Sequence, residues 1–280
     1  MLSTTAVLDA SSTFDLARAP GLRDEVVVAI EKAVLVGTVA PGQRLVESEI
    51  ARQMGISKAP VREALRELER LGLVVSRPRR GTFVSEITPT VASEAYSFRA
   101  VIESYAARLA VRHVTACDLL GMERLLAEAD AEPTHTPDHL IRRAELDLAF
   151  HDELYRLSRH HLLQEAWRNL RARVRVLLVA SGALQDAELT TNGSRPSLHL
   201  HGSIISALRA GDANLAEAAV IRQLAVGELG LVRRLAGDTA ALRVEAEALE
   251  RRPDLAVHLG HASADQAGRR ACEHLVGPSR

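Results

Sequence analysis

The chain has 280 residues, a formal net charge of −1 and 47% hydrophobic side chains. That is enough for about two domains with buried cores, and a balance this near neutrality confines any nucleic-acid surface to a local patch. Only 3% of residues are aromatic, so the core must be built from Ala, Leu and Val, a composition that favours helices. No apolar run approaches the roughly 20 residues of a membrane span. The two cysteines, Cys117 and Cys272, lack metal-knuckle spacing. Residues 1–20 have no basic start followed by an apolar block, so they read as a disordered arm rather than a secretory leader. A cytoplasmic protein with no membrane partner is the expectation.

Residues 21–86 form the first expected domain. Leu22, Val26, Ile30, Ala33 and Val34 recur at helical spacing, Gly37 ends that helix, and Pro41-Gly42 makes a turn. A short helix over 47–54 follows, with Ile50 and Met54 on one face. Gly55 supplies the left-handed residue of a tight helix-turn-helix bend. Ser57 is placed as N-cap of the next helix, and Pro60 falls in its first turn, where a missing N–H costs little. Val61, Leu65, Leu68 and Leu71 give that helix its buried stripe, and Gly72 stops it. Two short strands, 73–75 and 82–84, flank the cationic tip Arg77-Pro78-Arg79-Arg80-Gly81.

This order is that of a winged helix-turn-helix. From Ser57 to Ser85 seven basic residues stand against three acidic ones, on a chain whose total is −1. Such a local excess suits phosphate contact by counterion release. Ser57, Lys58, Ala59 and Arg62, at the start of the second helix, would approach base edges and phosphate. Arg79, Arg80 and Gly81 would bring the wing to a groove. The charges taken alone could equally be ordinary ion pairs on a surface helix.

The segments PGQRLVESEIA, ISKAPVREALREL and GLVVSRPRRGTFV resemble the DNA-binding domain of GntR-type bacterial regulators over roughly 20–86. The family usually carries Ser-Arg-Thr-Pro-Val-Arg-Glu-Ala, where this chain has Ser57-Lys58-Ala59-Pro60-Val61-Arg62-Glu63-Ala64. Lys58 keeps charge without the bidentate fork, and Ala59 lacks a hydroxyl. The resemblance implies a homodimer reading a near-palindromic operator in double-stranded DNA, as two-fold symmetry of one half-site reader requires.

A linker is expected at 87–91, and beyond it no strand. Helices are expected over 92–112, 116–130, 138–158, 161–181, 197–209 and 212–235, an all-α bundle of six or seven helices spanning 92–236. The fold class is therefore mainly α, with a tail over 237–280 that is partly helical near 240–251 and then disordered.

Asp147 and His151 lie one turn apart on a face with Ala144, Leu148 and Leu154, which points inward. His201 shares an inward stripe with Leu198, Ile205 and Leu208, and Gln223 one with Ala216, Ala219, Val220 and Val226. One carboxylate and two imidazoles converging in a bundle suit a divalent transition metal such as Zn²⁺, Ni²⁺ or Mn²⁺. The alternative is a hydrogen-bonded polar core without metal. Arg173 and Arg175 could line the same cavity.

ELDLAFHDELYRLS and HLHGSIISALRAGDANLAEAAVIRQL look like the effector-binding FCD domain of the FadR branch of that family. The resemblance implies metal ligands at Asp147, His151 and His201, with a fourth histidine where this chain has Gln223. It also implies an effector-binding role for Arg99, with Glu103 one turn later, suited to a small carboxylate or sugar acid through a charge-assisted fork. The expected function is a transcriptional regulator, a repressor by default, whose operator affinity follows that effector with or without metal. A metal-dependent hydrolase is the rival from another class; no nucleophile motif and no phosphate loop support it.

Overall fold

A computed structural model describes residues 21–132, 137–189 and 197–237. The N-terminal arm, the break at 190–194 and the tail beyond 237, including its expected helix, lie outside the described residues.

The N-terminal head is a three-helix, three-strand unit. Helix α1 (Leu22–Leu35) buries Val26 and Ile30, α2 (Glu47–Met54) buries Ala51, and α3 (Lys58–Arg70) buries Val61, Ala64, Leu65 and Leu68. Met54 is exposed rather than sharing an inward face with Ile50, because Ala51 takes the contact with α3. Strands β2 (Val74–Arg77) and β3 (Gly81–Val84) pair antiparallel as the wing. A two-residue strand β1 (Arg44–Leu45), which periodicity cannot resolve, adds to β3 and gives the order β1-β3-β2.

The C-terminal helical domain follows with α4 (Pro89–Ala110), α5 (Ala116–Ala131), α6 (Pro137–Ser158), α7 (His161–Leu189), α8 (Ser197–Ala210) and α9 (Ala213–Leu235). The expected linker is shorter than 87–91. Thr88 caps α4 by accepting from Val91 N–H at 3.2 Å, and Pro89 takes the first-turn position it tolerates. Helix α7 runs eight residues past the expected 181. Asp212 caps α9, its carboxylate accepting from the N–H groups of Asn214 and Leu215.

Helices α4 and α9 pack along their lengths. Ala92, Ala95, Ala106, Ala107 and Ala110 keep the α4 surface low. Gly227 is pressed against Tyr96, where an added Cβ would lie 2.9 Å from the ring. Small residues thus take the place of aromatic bulk, as the composition requires. The apolar core of the head is closed by Ala172 and Val176 of α7, so the head rests directly on the helical domain.

Candidate functional site

Two candidate sites lie in different domains. In the head, Gly55 adopts a left-handed conformation (φ 66°), which turns the chain from α2 to α3. Ser57 occupies the N-cap position with extended backbone, but its hydroxyl makes no capping hydrogen bond. Ser57, Lys58, Ala59 and Arg62 are all exposed along the start of α3. Arg62 reaches back to α2, where its Nη2 donates to Glu47 Oε2 at 3.0 Å. For Arg62 this pair, formed across the helix-turn-helix, stands in place of a within-helix partner.

The wing tip is held by the N–H of Arg80 donating to Arg77 O at 3.0 Å, with Arg79 at a positive φ of 63°. Gly81 has φ 101°, a torsion that favours glycine, and an added Cβ would meet only the movable Arg44 guanidinium, at 3.0 Å. Arg79 and Arg80 are exposed beside it. Not every cation counted from sequence faces outward for DNA. Arg70 bonds Glu67 and the α7 residue Asn169, and Arg77 pairs with Glu86 while its guanidinium lies over Phe83. Lys58, Arg66, Arg79 and Arg80 have no ion-pair partner among the described residues.

In the helical domain Asp147, His151, His201 and Gln223 come together from α6, α8 and α9. His201 Nε2 lies 3.2 Å from Asp147 Oδ1 and 3.3 Å from His151 Nε2, which is in turn 3.7 Å from Asp147 Oδ2. Both imidazoles are fully buried, while Asp147 keeps 14% of its side chain exposed. Of the stripes read from sequence, Ala144, Leu148, Leu154, Ile205 and Leu208 are buried with these ligands; the side chain of Leu198 lies outside the described set. Gln223 Nε2 is 3.4 Å from His201 Nε2, and its Oε1 is buried without a hydrogen-bond partner.

Glu103 of α4 organises this cluster. Its Oε2 lies 2.6 Å from His151 Nδ1, at ion-pair distance but outside hydrogen-bond geometry, and its Oε1 accepts from Arg99 Nε at 2.5 Å. Arg99 and Glu103, one turn apart on α4, form an ion pair buried in the bundle. The contact leaves Nε2 as the ring nitrogen of His151 nearest Asp147 and His201. Sequence reading placed Glu103 only as the partner of Arg99. The available signal was its register with Ala106, Ala107 and Ala110, the small-residue stripe of α4.

Arg99 lies between the faces of Tyr96 and Trp167, with centroid distances of 5.5 and 5.6 Å, and its Nη2 has no hydrogen-bond partner. Burial alone would raise the Glu103 carboxyl, but Arg99 and His151 hold it down to about 2. Burial likewise opposes ionisation of Asp147, yet the His201 hydrogen bond and the neighbouring positive charges lower it below its ordinary value.

The donor spacing fits a metal ion. Ligand bonds of about 2.0–2.1 Å in a tetrahedron place donor atoms about 3.3 Å apart, close to the 3.2 and 3.3 Å separations at His201. The three ligand atoms lie within 4.8 Å of one another. A half-turn of the Gln223 amide, whose oxygen and nitrogen are nearly indistinguishable in shape, would direct the carbonyl to the same point. Arg173 and Arg175 do not line this cluster. Arg173 lies against Gly72 of the head, and Arg175 bonds Glu31 and Glu145.

The comparisons with known proteins agree with both halves. Residues 22–84 match the family of bacterial regulatory proteins called gntR, and residues 94–225 match the FCD domain. The chain is 33% identical over 206 residues to the probable D-xylose utilization operon transcriptional repressor of Paenarthrobacter nicotinovorans, covering 73% of this chain and 84% of that protein. It is 30% identical to the HTH-type transcriptional repressor RspR of Escherichia coli K12, covering 66% and 78%. A GntR transcriptional regulator from Rhodococcus sp. RHA1 superposes with a TM-score of 0.58 at 25% identity, covering 75% of this chain and 97% of that one. Escherichia coli McbR/YncC shares the fold, with a TM-score of 0.55 at 23% identity over 80% of this chain and 98% of its own. These families and relatives are transcriptional regulators, not enzymes, which sets aside the hydrolase reading. The chain belongs to the gntR family of bacterial regulatory proteins, with an FCD domain behind its DNA-binding head.

Proposed function

We propose that the chain is a homodimeric repressor whose operator affinity is set by a small organic acid held in the FCD domain beside a divalent transition metal. The observation that carries the metal reading is the convergence of Asp147, His151 and His201 at coordination-edge spacing. Asp147 and the two Nε2 atoms would hold the ion, while Glu103 fixes the ring of His151. The ion would supply a fixed positive charge and open coordination positions for an anionic ligand. With Gln223 in place of a fourth imidazole, more of those positions stay open to effector than in a four-ligand set. Arg99, through its unpaired Nη2, would take a second carboxylate oxygen. The D-xylose operon named for one relative makes sugar acids the first effectors to try.

Ser57, Lys58, Ala59 and Arg62 would enter the major groove, and Arg79, Arg80 and Gly81 would lie along the adjacent backbone. For the dimer, Phe98, Val101 and Tyr105 form an exposed apolar stripe on α4 at three- and four-residue spacing, 47–69% exposed. Leu162 near the start of α7 extends it, the ring of Tyr105 meeting that of His160. A second copy covering this face would pair two heads for a two-fold operator.

The test is metal content and zinc binding after chelator treatment, in wild type and Asp147→Ala. The expected result is zinc bound by the wild type and lost in the variant; zinc bound by neither protein would overturn the metal reading. Effector binding that survives the chelator would instead favour a metal-free polar network built from the same side chains. Val101→Glu should shift the protein from dimer to monomer in sedimentation, and an unchanged mass would discard this face.

A further inference from the structure

We propose that Arg175 is the mechanical link between the buried Asp147–His151–His201 cluster and the DNA-binding head, through a carboxylate on each side of its guanidinium. The proposal rests on the reading of that cluster as the sensing site.

The argument begins on α6. Glu145 is two residues before Asp147, so the two side chains leave the helix about 200° apart. Asp147 faces the cluster, and Glu145 faces α7, where its Oε1 accepts from Arg175 Nη1 at 2.7 Å. The other arm of the same guanidinium, Nη2, donates to Glu31 on α1 of the head. One planar fork thus spans the turn that carries a candidate ligand and the first helix of the head.

The back of the second ligand turn is tied down in the same way. Asp152, next to His151, accepts from Trp167 Nε1 at 2.5 Å and from Arg171 Nε at 3.1 Å, and Arg171 Nη2 reaches Glu145 at 3.3 Å. A shift of α6 that draws Asp147 toward an ion or away from it must therefore move Glu145 against α7. The remaining contacts of α7 with the head carry less directional information. Ala172 and Val176 pack on its apolar core and can slide, and Arg173 covers Gly72 without a carboxylate partner. Arg70 with Asn169 is an exposed neutral-acceptor contact. The Arg175 bridge is partly buried, at 19% exposed for the arginine and 14% for Glu31, so solvent screens it less than the pairs on the head's outer face. Two carboxylates from different domains on one guanidinium make an arrangement with a preferred register, which is what transmits a displacement rather than absorbing it.

The test is a double-mutant cycle read by amide hydrogen exchange of α1 in the full-length, zinc-free protein. Asp147→Asn perturbs the cluster, and Arg175→Met removes the fork while keeping a long apolar stem. In the parent background Asp147→Asn should change exchange across 22–35 by about five-fold or more. In the Arg175→Met background the same substitution should change it by less than about two-fold. Equal changes in both backgrounds, or no change in the parent, would overturn the link. Glu31→Gln repeats the cycle from the head side with the shape kept, should Arg175→Met fold poorly; a persisting Asp147→Asn effect there would overturn it as well. Zinc titration of the wild type by calorimetry is read separately. Its failure speaks against the metal reading, and the exchange cycle still decides the link.

Discussion

Arg62 in the head and Arg99 in the sensor carry the same guanidinium under opposite constraints. Arg62 is 55% exposed and leans on Glu47 across a solvent-facing turn, a weak pairing that solvent screens. Arg99 is 1% exposed, bonded to Glu103 and enclosed by two aromatic faces. The first can leave its carboxylate for a base edge or phosphate at small cost. The second cannot leave, because its departure would strand Glu103 and unseat His151. A mobile cation surveys a partner; a fixed one shapes a cavity's field. The two ends of the molecule differ in this respect more than in composition.

That contrast can be broken most forcefully at Glu103. Glu103→Ala should destabilise the protein by about 3–5 kcal/mol, because it leaves Arg99 buried without its carboxylate; urea unfolding would measure it. A loss under about 1 kcal/mol would mean water reaches the cluster. Arg62→Ala comes next, with the effect moved from folding to binding. Stability should change by no more than about 0.5 kcal/mol, while affinity for operator DNA at physiological salt falls about ten-fold or more. Unchanged affinity, measured by fluorescence anisotropy on the DNA upstream of its own gene, would remove Arg62 from the groove. Ser57→Ala should do least to the fold. Its hydroxyl makes no capping bond, so thermal unfolding should reveal a loss below the ~1 kcal/mol usual for an N-cap, with a modest fall in DNA affinity if that hydroxyl meets phosphate.

The head was largely legible because its logic is local. Gly55, Ser57, Pro60, Gly72 and Gly81 mark turns within a few residues of the helices they bound, and the apolar stripe of α3 follows from spacing alone. What local spacing could not supply was the fate of its charges. Arg70 does pair with Glu67 three residues back, as the ion-pair alternative allowed, but its second partner Asn169, and Glu86 for Arg77, are not given by helical spacing. In the sensor the same limit is more severe. Asp147 and His151 share one helix face by arithmetic, and periodicity turned His201 and Gln223 inward. That all four meet depends on how α6, α8 and α9 cross. Glu103 sits on α4, far from every ligand in sequence, and its grip on His151 became visible only when the helices were packed. Arg173 and Arg175 illustrate the converse: long side chains on a half-buried helix have no direction until both neighbours are known.

Gly72, which ends α3 at a φ of 72°, carries a consequence for the junction of the two domains. A methyl group there would fall 1.7 Å from the Arg173 guanidinium and would also force an L-residue into left-handed torsions, itself a penalty of about 1–2 kcal/mol. An alanine at this position would push aside the movable end of Arg173 and strain the seat of the reading head, while the exposed side chains at the start of α3 stayed intact.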